Sequence, residues 1–174
     1  LLCISRRTND ELAALAQARG AHLEQWSQDL ADSLEAAERL ERWLSSLHAA
    51  ELDSATLINN AGVIPTISPL GGIATNDLAN ALRVGLESPL ALTSAFLRVT
   101  GRWVQHGWSG PRKVLNISSG LGRRAMASQA AYCTAKAGMD MFSQCVALEE
   151  AQQPHGARIV SLAPGVIDTD MQVQ

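Results

Sequence analysis

Cysteine is scarce in this sequence. Cys3, Cys133 and Cys145 form an odd, widely spaced set, which excludes a disulfide framework and a CxxC metal pair. The four histidines (His22, His48, His106 and His155) are scattered, so no metal cluster is expected. A basic excess is also lacking. Lys+Arg number 14 against 17 Asp+Glu, a net charge of −3, which argues against the clustered basic face of a nucleic-acid binder. No run of about 18 uninterrupted apolar residues exists to span a membrane. Nor is there a leader with a basic start, an apolar stretch and a cleavage site. Repeats and low-complexity segments are absent too. The reading is a soluble, cytoplasmic protein of a reducing compartment, without nucleic-acid or membrane partners. Hydrophobic residues make up 47% and charged residues 18% of 174. That composition is globular, and the length fits one domain over residues 1–174.

What is present alternates. Residues 1–5 are a short apolar run stopped by Arg6 and Arg7, as a buried strand would be. Thr8 or Asn9 can cap a helix that Gly20 ends. Residues 21–26 suggest a strand, and residues 32–50 carry Leu34, Ala37, Leu40, Leu44 and Leu47 at amphipathic helical spacing. A strand over 55–58 breaks at Asn59-Asn60-Ala61-Gly62, followed by a Pro/Gly/Ser-rich connection. A long helix is predicted from 75 or 76 to about 106, kinked at Pro89. Residues 113–118 form the next strand, 129–151 a helix, and 158–163 the last strand, stopped by Pro164-Gly165. The order β-α-β-α-β-α-β-α-β, with short continuously apolar strands, implies an α/β fold with parallel strands covered on both faces. Ligands then belong at the carboxyl ends of the strands.

Those ends carry the chemistry. Tyr132 and Lys136 are four apart on one helix face. An unperturbed tyrosine titrates near 10, and an ammonium fixed nearby favours the phenolate. The pair therefore makes a general acid tuned toward neutral pH. The competing reading is a surface lysine beside a packed tyrosine. Against it, Tyr132 is the only tyrosine and Lys136 one of two lysines. Ser119, thirteen residues before Tyr132, ends the strand at 113–118, and its hydroxyl can donate to a carbonyl oxygen gaining charge. Its competing role is to cap the next segment. Ser118 points to the other side by alternation along the strand.

Asn59-Asn60-Ala61-Gly62, Ser119, Tyr132-x-x-x-Lys136 and Pro164-Gly165-x-x-x-Thr169 together resemble the short-chain dehydrogenase/reductases. The resemblance implies a Rossmann-type, doubly wound parallel sheet and hydride transfer between a nicotinamide cofactor and a carbonyl or alcohol. It implies Tyr132 as proton donor to the carbonyl and Ser119 as its polariser, with Lys136 holding the nicotinamide ribose. Asn59, Ala61 and Gly62 would support the central strand end and the adenosine side, and Asp29 and Leu30 the adenine. Pro164, Gly165, Ile167 and Thr169 would cradle the nicotinamide. Within the family, Leu-Ile-Asn-Asn-Ala-Gly, Ala-Leu-Glu-Glu and Ala-Pro-Gly-Val-Ile-Asp-Thr-Asp-Met-Gln are most similar to the sepiapterin and benzil reductases, which reduce vicinal dicarbonyls with NADPH. A homodimer or homotetramer through the helices at 76–106 and 129–151 is also implied. Cofactor choice has a physical argument as well. An NAD site wants an acid for the ribose 2′-hydroxyl, an NADP site an arginine for the 2′-phosphate. Arg6 and Arg7, with no acid before Asp10, favour NADP(H).

Three departures temper this. The Gly-rich pyrophosphate turn is missing. Gly120-Leu-Gly122-Arg-Arg-Ala125 imitates it, but the acid at the right spacing, Asp140, lies mid-helix, so this segment reads as a substrate-side loop. The family's helix asparagine aligns with Gly85, which supplies no amide, so a catalytically weak or inactive nucleotide-binding or scaffold relative is the alternative reading. Finally, the sequence is expected to lack a first βα unit, whose strand would lie between those at residues 1–5 and 55–58, and a C-terminal lid and last strand.

Overall fold

A computed structural model of the protein describes residues 1–165. Ile167 and Thr169, expected at the nicotinamide, lie outside the described residues. Among the described residues, five strands, all paired in parallel, form two sheets. β1 (Leu2–Ser5) pairs with β2 (Glu24–Ser27), and β3 (Ala55–Asn59), β4 (Arg112–Ile117) and β5 (Arg158–Leu162) pair in that order. No ladder joins β1 to β3 among the described residues. The predicted strands are all present, with ends shifted by a few residues.

Each helix begins where its sequence allows. α1 (Asp10–Ala18) is capped by Asn9, whose Oδ1 accepts from Leu12 N at 3.0 Å. α2 (Ser33–Ser46) stops earlier than predicted, at Leu47, in extended backbone. The long helix proposed for 75–106 is two helices, α3 (Thr75–Leu82) and α4 (Ser88–Gln105), joined by a π turn at Arg83–Glu87. Here Ser88 N bonds to Arg83 O, one residue further back than in an α-helix. Pro89 has no N–H to return to Gly85, so the ladder widens just ahead of it instead of kinking at it. α5 (Ala130–Glu150) completes the set.

Ala36, Leu40 and Leu44 of α2, Leu92, Phe96 and Val99 of α4, and Ala55, Val114 and Ile159 of the sheet make one apolar core. Val146 and Ala147 of α5 pack against it. Among the described residues, helices cover one face of the β3–β4–β5 sheet. On the other, Ile58, Val160 and Leu162 remain 57%, 53% and 45% exposed, because α2, α4 and α5 all lie on the same side.

Two polar features cross this core. Asn59 Nδ2 donates to Thr93 Oγ1 (3.1 Å) and to Asn116 Oδ1 (2.7 Å), and Asn116 Nδ2 donates to Ser143 Oγ (2.8 Å). All four side chains are buried, and each bond relieves a desolvation cost of about 1–3 kcal/mol. At the opposite end of β4, buried Arg112 donates to Glu150 Oε2 (2.9 Å), Thr100 Oγ1 (3.4 Å) and the His155 carbonyl (3.1 Å). Glu150 Oε2 also accepts from Ala157 N at 2.7 Å. This fastens the end of α5 to the start of β5.

Candidate active site

The carboxyl ends of β3, β4 and β5 converge on the first turns of α5. β4 runs out at Ile117, and Ser119 then caps a 3-10 turn at Gly120–Gly122, its Oγ accepting from Leu121 N at 3.2 Å. A hydroxyl that accepts still has its own proton to donate, so capping leaves the expected polarising role open to Ser119. Ser118 is buried, its Oγ 3.5 Å from the Lys136 carbonyl, so the alternation argument assigns the two serines to different sides. The Gly-x-Gly imitation opens only this short turn. It lies flat on α5, and a Cβ on Gly122 would sit 2.9 Å from the Lys136 carbonyl carbon and 3.1 Å from Asp140 Oδ2. Only glycine permits that approach. Gly122→Ala should therefore lift the Ser119 loop and lower turnover by about tenfold or more, measured as kcat on folded protein.

Lys136 is where the segments meet. Its side chain is buried, Nζ donates to the Ile117 carbonyl at 2.7 Å and lies 5.7 Å from the centroid of the Tyr132 ring. A Cβ on Gly62 would come within 3.6 Å of the same nitrogen, so the turn after β3 borders the ammonium. Its other two N–H donors have no partner among the described residues. Burial pulls the Lys136 pKa below the usual lysine value, partly opposed by the Asp140 carboxylate. The charged form is thus disfavoured in the folded state. The unfolded chain binds the proton more tightly, so the penalty is full at low pH and is relieved as pH rises from the lowered value toward the usual one. Lys136→Met removes that penalty, so its stability relative to wild type should be greater at neutral than at alkaline pH. Paired thermal melts at pH 7 and at alkaline pH check this, and a relative stability that does not fall with rising pH contradicts it.

The remaining predicted residues divide. Asn59 spends both amide protons inside the core, so its side chain supports the strand end and does not face a ligand. Ala61 and Gly62 are half-buried beside it. Pro164 and Gly165 are exposed just past β5. Gly165 has φ +85°, a conformation that suits glycine. Ser118 N bonds to Leu162 O at 2.7 Å, which ties this end of β5 to that of β4. Arg6 and Arg7 are exposed at the end of β1, their guanidinium groups without hydrogen bonds among the described residues. Asp29 is exposed after β2 and accepts from Ala31 N at 2.9 Å, with half-buried Leu30 packed against the core. The structure thus gathers Ser119, Lys136, Tyr132 and Gly62, and leaves Arg6, Arg7 and Asp29 past the strand ends of the other sheet.

Gly85 lies in the π turn, buried, where an added Cβ would stand 3.1 Å from Ala135 Cβ. Sequence reasoning passed over Asp140 as a neighbour of this site, although its i,i+4 spacing from Lys136 places it on the same helix face.

A family model described as short chain dehydrogenase matches residues 1–174. The chain belongs to the short chain dehydrogenase family. It is 37% identical over 174 residues to a benzil reductase, (S)-benzoin forming, from Bacillus cereus, covering all of this chain and 68% of that protein. With sepiapterin reductase from Xenopus laevis it shares 30% over 177 residues, 98% of this chain and 64% of the other. The chain therefore spans about two thirds of the length of these relatives. A putative NAD(P)-dependent gluconate 5-dehydrogenase from Beutenbergia cavernae, solved with bound NADP at low occupancy, superposes with a TM-score of 0.81 at 27% identity. That match covers 99% of this chain and 64% of that one. A 4-hydroxyisoleucine dehydrogenase complexed with NADH and succinate gives 0.77 at 25% identity, over 98% and 67% of the two chains. The Rossmann-type α/β class of this short chain dehydrogenase follows from these matches and from its parallel sheets. No helix among its described residues is long and apolar enough to cross a membrane.

Proposed function

We propose that this short chain dehydrogenase reduces a small carbonyl compound, a ketone or vicinal dicarbonyl, with NADPH. The observation that carries the reading is the buried Lys136 ammonium, held by the Ile117 carbonyl between the Tyr132 ring and the turn at Gly62. A buried cation at strand ends, with two donors unpaired among the described residues, suits the hydroxyls of a nicotinamide ribose. Lys136 and the 61–62 turn, with Pro164 and Gly165, would hold the nicotinamide side, and Arg6, Arg7, Asp29 and Leu30 the adenosine side. The cofactor supplies the hydride when bound. Ser119 orients the carbonyl through its free proton, Tyr132 delivers a proton to the carbonyl oxygen, and Lys136 fixes the position of both cofactor and phenol.

Arg6 and Arg7 support NADPH over NADH, because a 2′-phosphate gains charge-assisted hydrogen bonds from a guanidinium. Among the related structures, one holds NADP and another NADH, so the test is made on this protein. A panel of dicarbonyls and ketones should show higher kcat/KM with NADPH. Replacing both arginines by aspartate should then lower the NADPH value about 10- to 100-fold, the effect of losing a hydrogen bond to a charged group. Equal turnover with both cofactors before and after the change would remove the NADPH assignment. Gly85 favours a second reading, a weak or inactive relative that binds nucleotide as a scaffold. A cytoplasmic homodimer or homotetramer through α4 and α5 completes the proposal, with Leu90, Met141 and Leu148 exposed on those helices.

A further inference from the structure

Asp140 is a buried carboxylate on α5, one turn beyond Lys136, that the reaction scheme does not use. Three segments of the site reach it. Arg123 Nε, from the loop after Ser119, donates to Oδ2 at 3.1 Å. Ser161 Oγ, three residues before Pro164, donates to Oδ1. Gly122 lies against the same carboxylate, its missing Cβ leaving room for Oδ2. Burial alone would raise this carboxyl, but hydrogen bonds from Ser161, Ser118 and Arg123 outweigh it and hold its pKa below the usual aspartate value. The group is therefore charged and fully engaged.

We propose that Asp140 is a positioning residue, which fastens the Ser119 loop and the end of β5 to the turn of α5 bearing Lys136. The ligand-facing parts of the site come from three separate chain segments, and each must hold its place to within a fraction of an ångström for catalysis. Apolar packing does little of this for the loop, where Arg123 is mostly exposed and Met126 is exposed. The two oxygens of Asp140 serve different segments, and this gives separable signatures. Arg123→Met releases only the Ser119 loop, so kcat falls while KM for NADPH stays. Ser161→Ala releases only the β5 end next to Pro164 and Gly165, so KM for NADPH rises with a smaller change in kcat. Asp140→Asn keeps the shape, weakens both ties, and shows both effects, with kcat down about 10- to 100-fold.

The kinetic signatures rest on the reductase reading, so the test pairs them with amide hydrogen exchange, which needs no substrate. Asp140→Asn is expected to accelerate exchange tenfold or more at Leu121, Gly122, Arg123 and Ser118, leaving the β3 amides at wild-type rates. Unchanged exchange, or a uniform acceleration across the protein, would overturn the proposal, because a merely structural carboxylate loosens everything together. If Asp140→Asn does not fold, Ser161→Ala and Arg123→Met decide it, each by local acceleration in its own segment. Were the wild-type protein to turn over no carbonyl, the reductase reading would fall, and exchange alone would still decide whether Asp140 ties the segments.

Discussion

Tyr132→Phe is expected to lower kcat for carbonyl reduction by about 100- to 10,000-fold, the range that a positioned general acid contributes. The substitution deletes one oxygen from a half-buried ring, and no hydrogen bond within the described residues depends on that oxygen. Folding should therefore be unaffected, and the ring remains to cover the Lys136 ammonium. Affinity for NADPH, read by fluorescence titration, should stay within a few-fold of wild type. Single-turnover oxidation of NADPH with a reactive dicarbonyl makes the comparison. The scaffold alternative predicts otherwise: no turnover in either protein and the same nucleotide binding in both. A variant that keeps wild-type turnover would remove Tyr132 from the chemistry and leave the Tyr–Lys spacing as packing.

Arg112→Met should produce the largest loss of stability in the described part of the protein. The guanidinium is buried and serves Glu150, Thr100 and the His155 carbonyl together. Removing it leaves the Glu150 carboxylate with only the Ala157 amide in a poorly solvated place. Breaking such a pair from one side costs about 3–5 kcal/mol, which is a fall of about 10 °C or more in melting temperature for a chain of this size. Arg112→Met combined with Glu150→Leu should recover most of the loss, since replacing both partners by apolar groups is often neutral. Urea titrations of the single and double variants test both statements. A single-variant loss below about 1 kcal/mol, the range of an exposed pair, would show that water reaches the clamp.

Much of this was legible in the sequence, for identifiable reasons. Strands such as residues 112–117 and helices such as α5 announce themselves through apolar runs and turn residues. Asn9 and Gly20 act only through local backbone chemistry, so the α1 boundaries followed. Tyr132 and Lys136 were found because an i,i+4 pair on a helix is a local relation. The π turn was not legible, since its widened ladder depends on how Pro89, Gly85 and Ala135 pack together. Asp140 was legible as a position but not as a junction: its partners Arg123 and Ser161 lie 17 and 21 residues away, and only the fold brings them to one carboxylate. The Arg112 clamp is equally non-local, with Glu150 38 residues on.

The Asn59–Asn116–Ser143 chain has a consequence for how the strand ends come to lie level. Apolar strands of Val, Leu and Ile tolerate sliding by two residues, because every side chain then keeps its face. Here Asn59 pairs across from Asn116, and Asn116 from Ser161. A slide of β3 by two would set Asn59 against Val114 or Ser118 instead, leaving buried amides without partners at about 1–3 kcal/mol each. The hydrogen-bonded amides thus act as a vernier between neighbouring strands. They bring Gly62, Ser119 and Pro164 to matching heights before any ligand arrives.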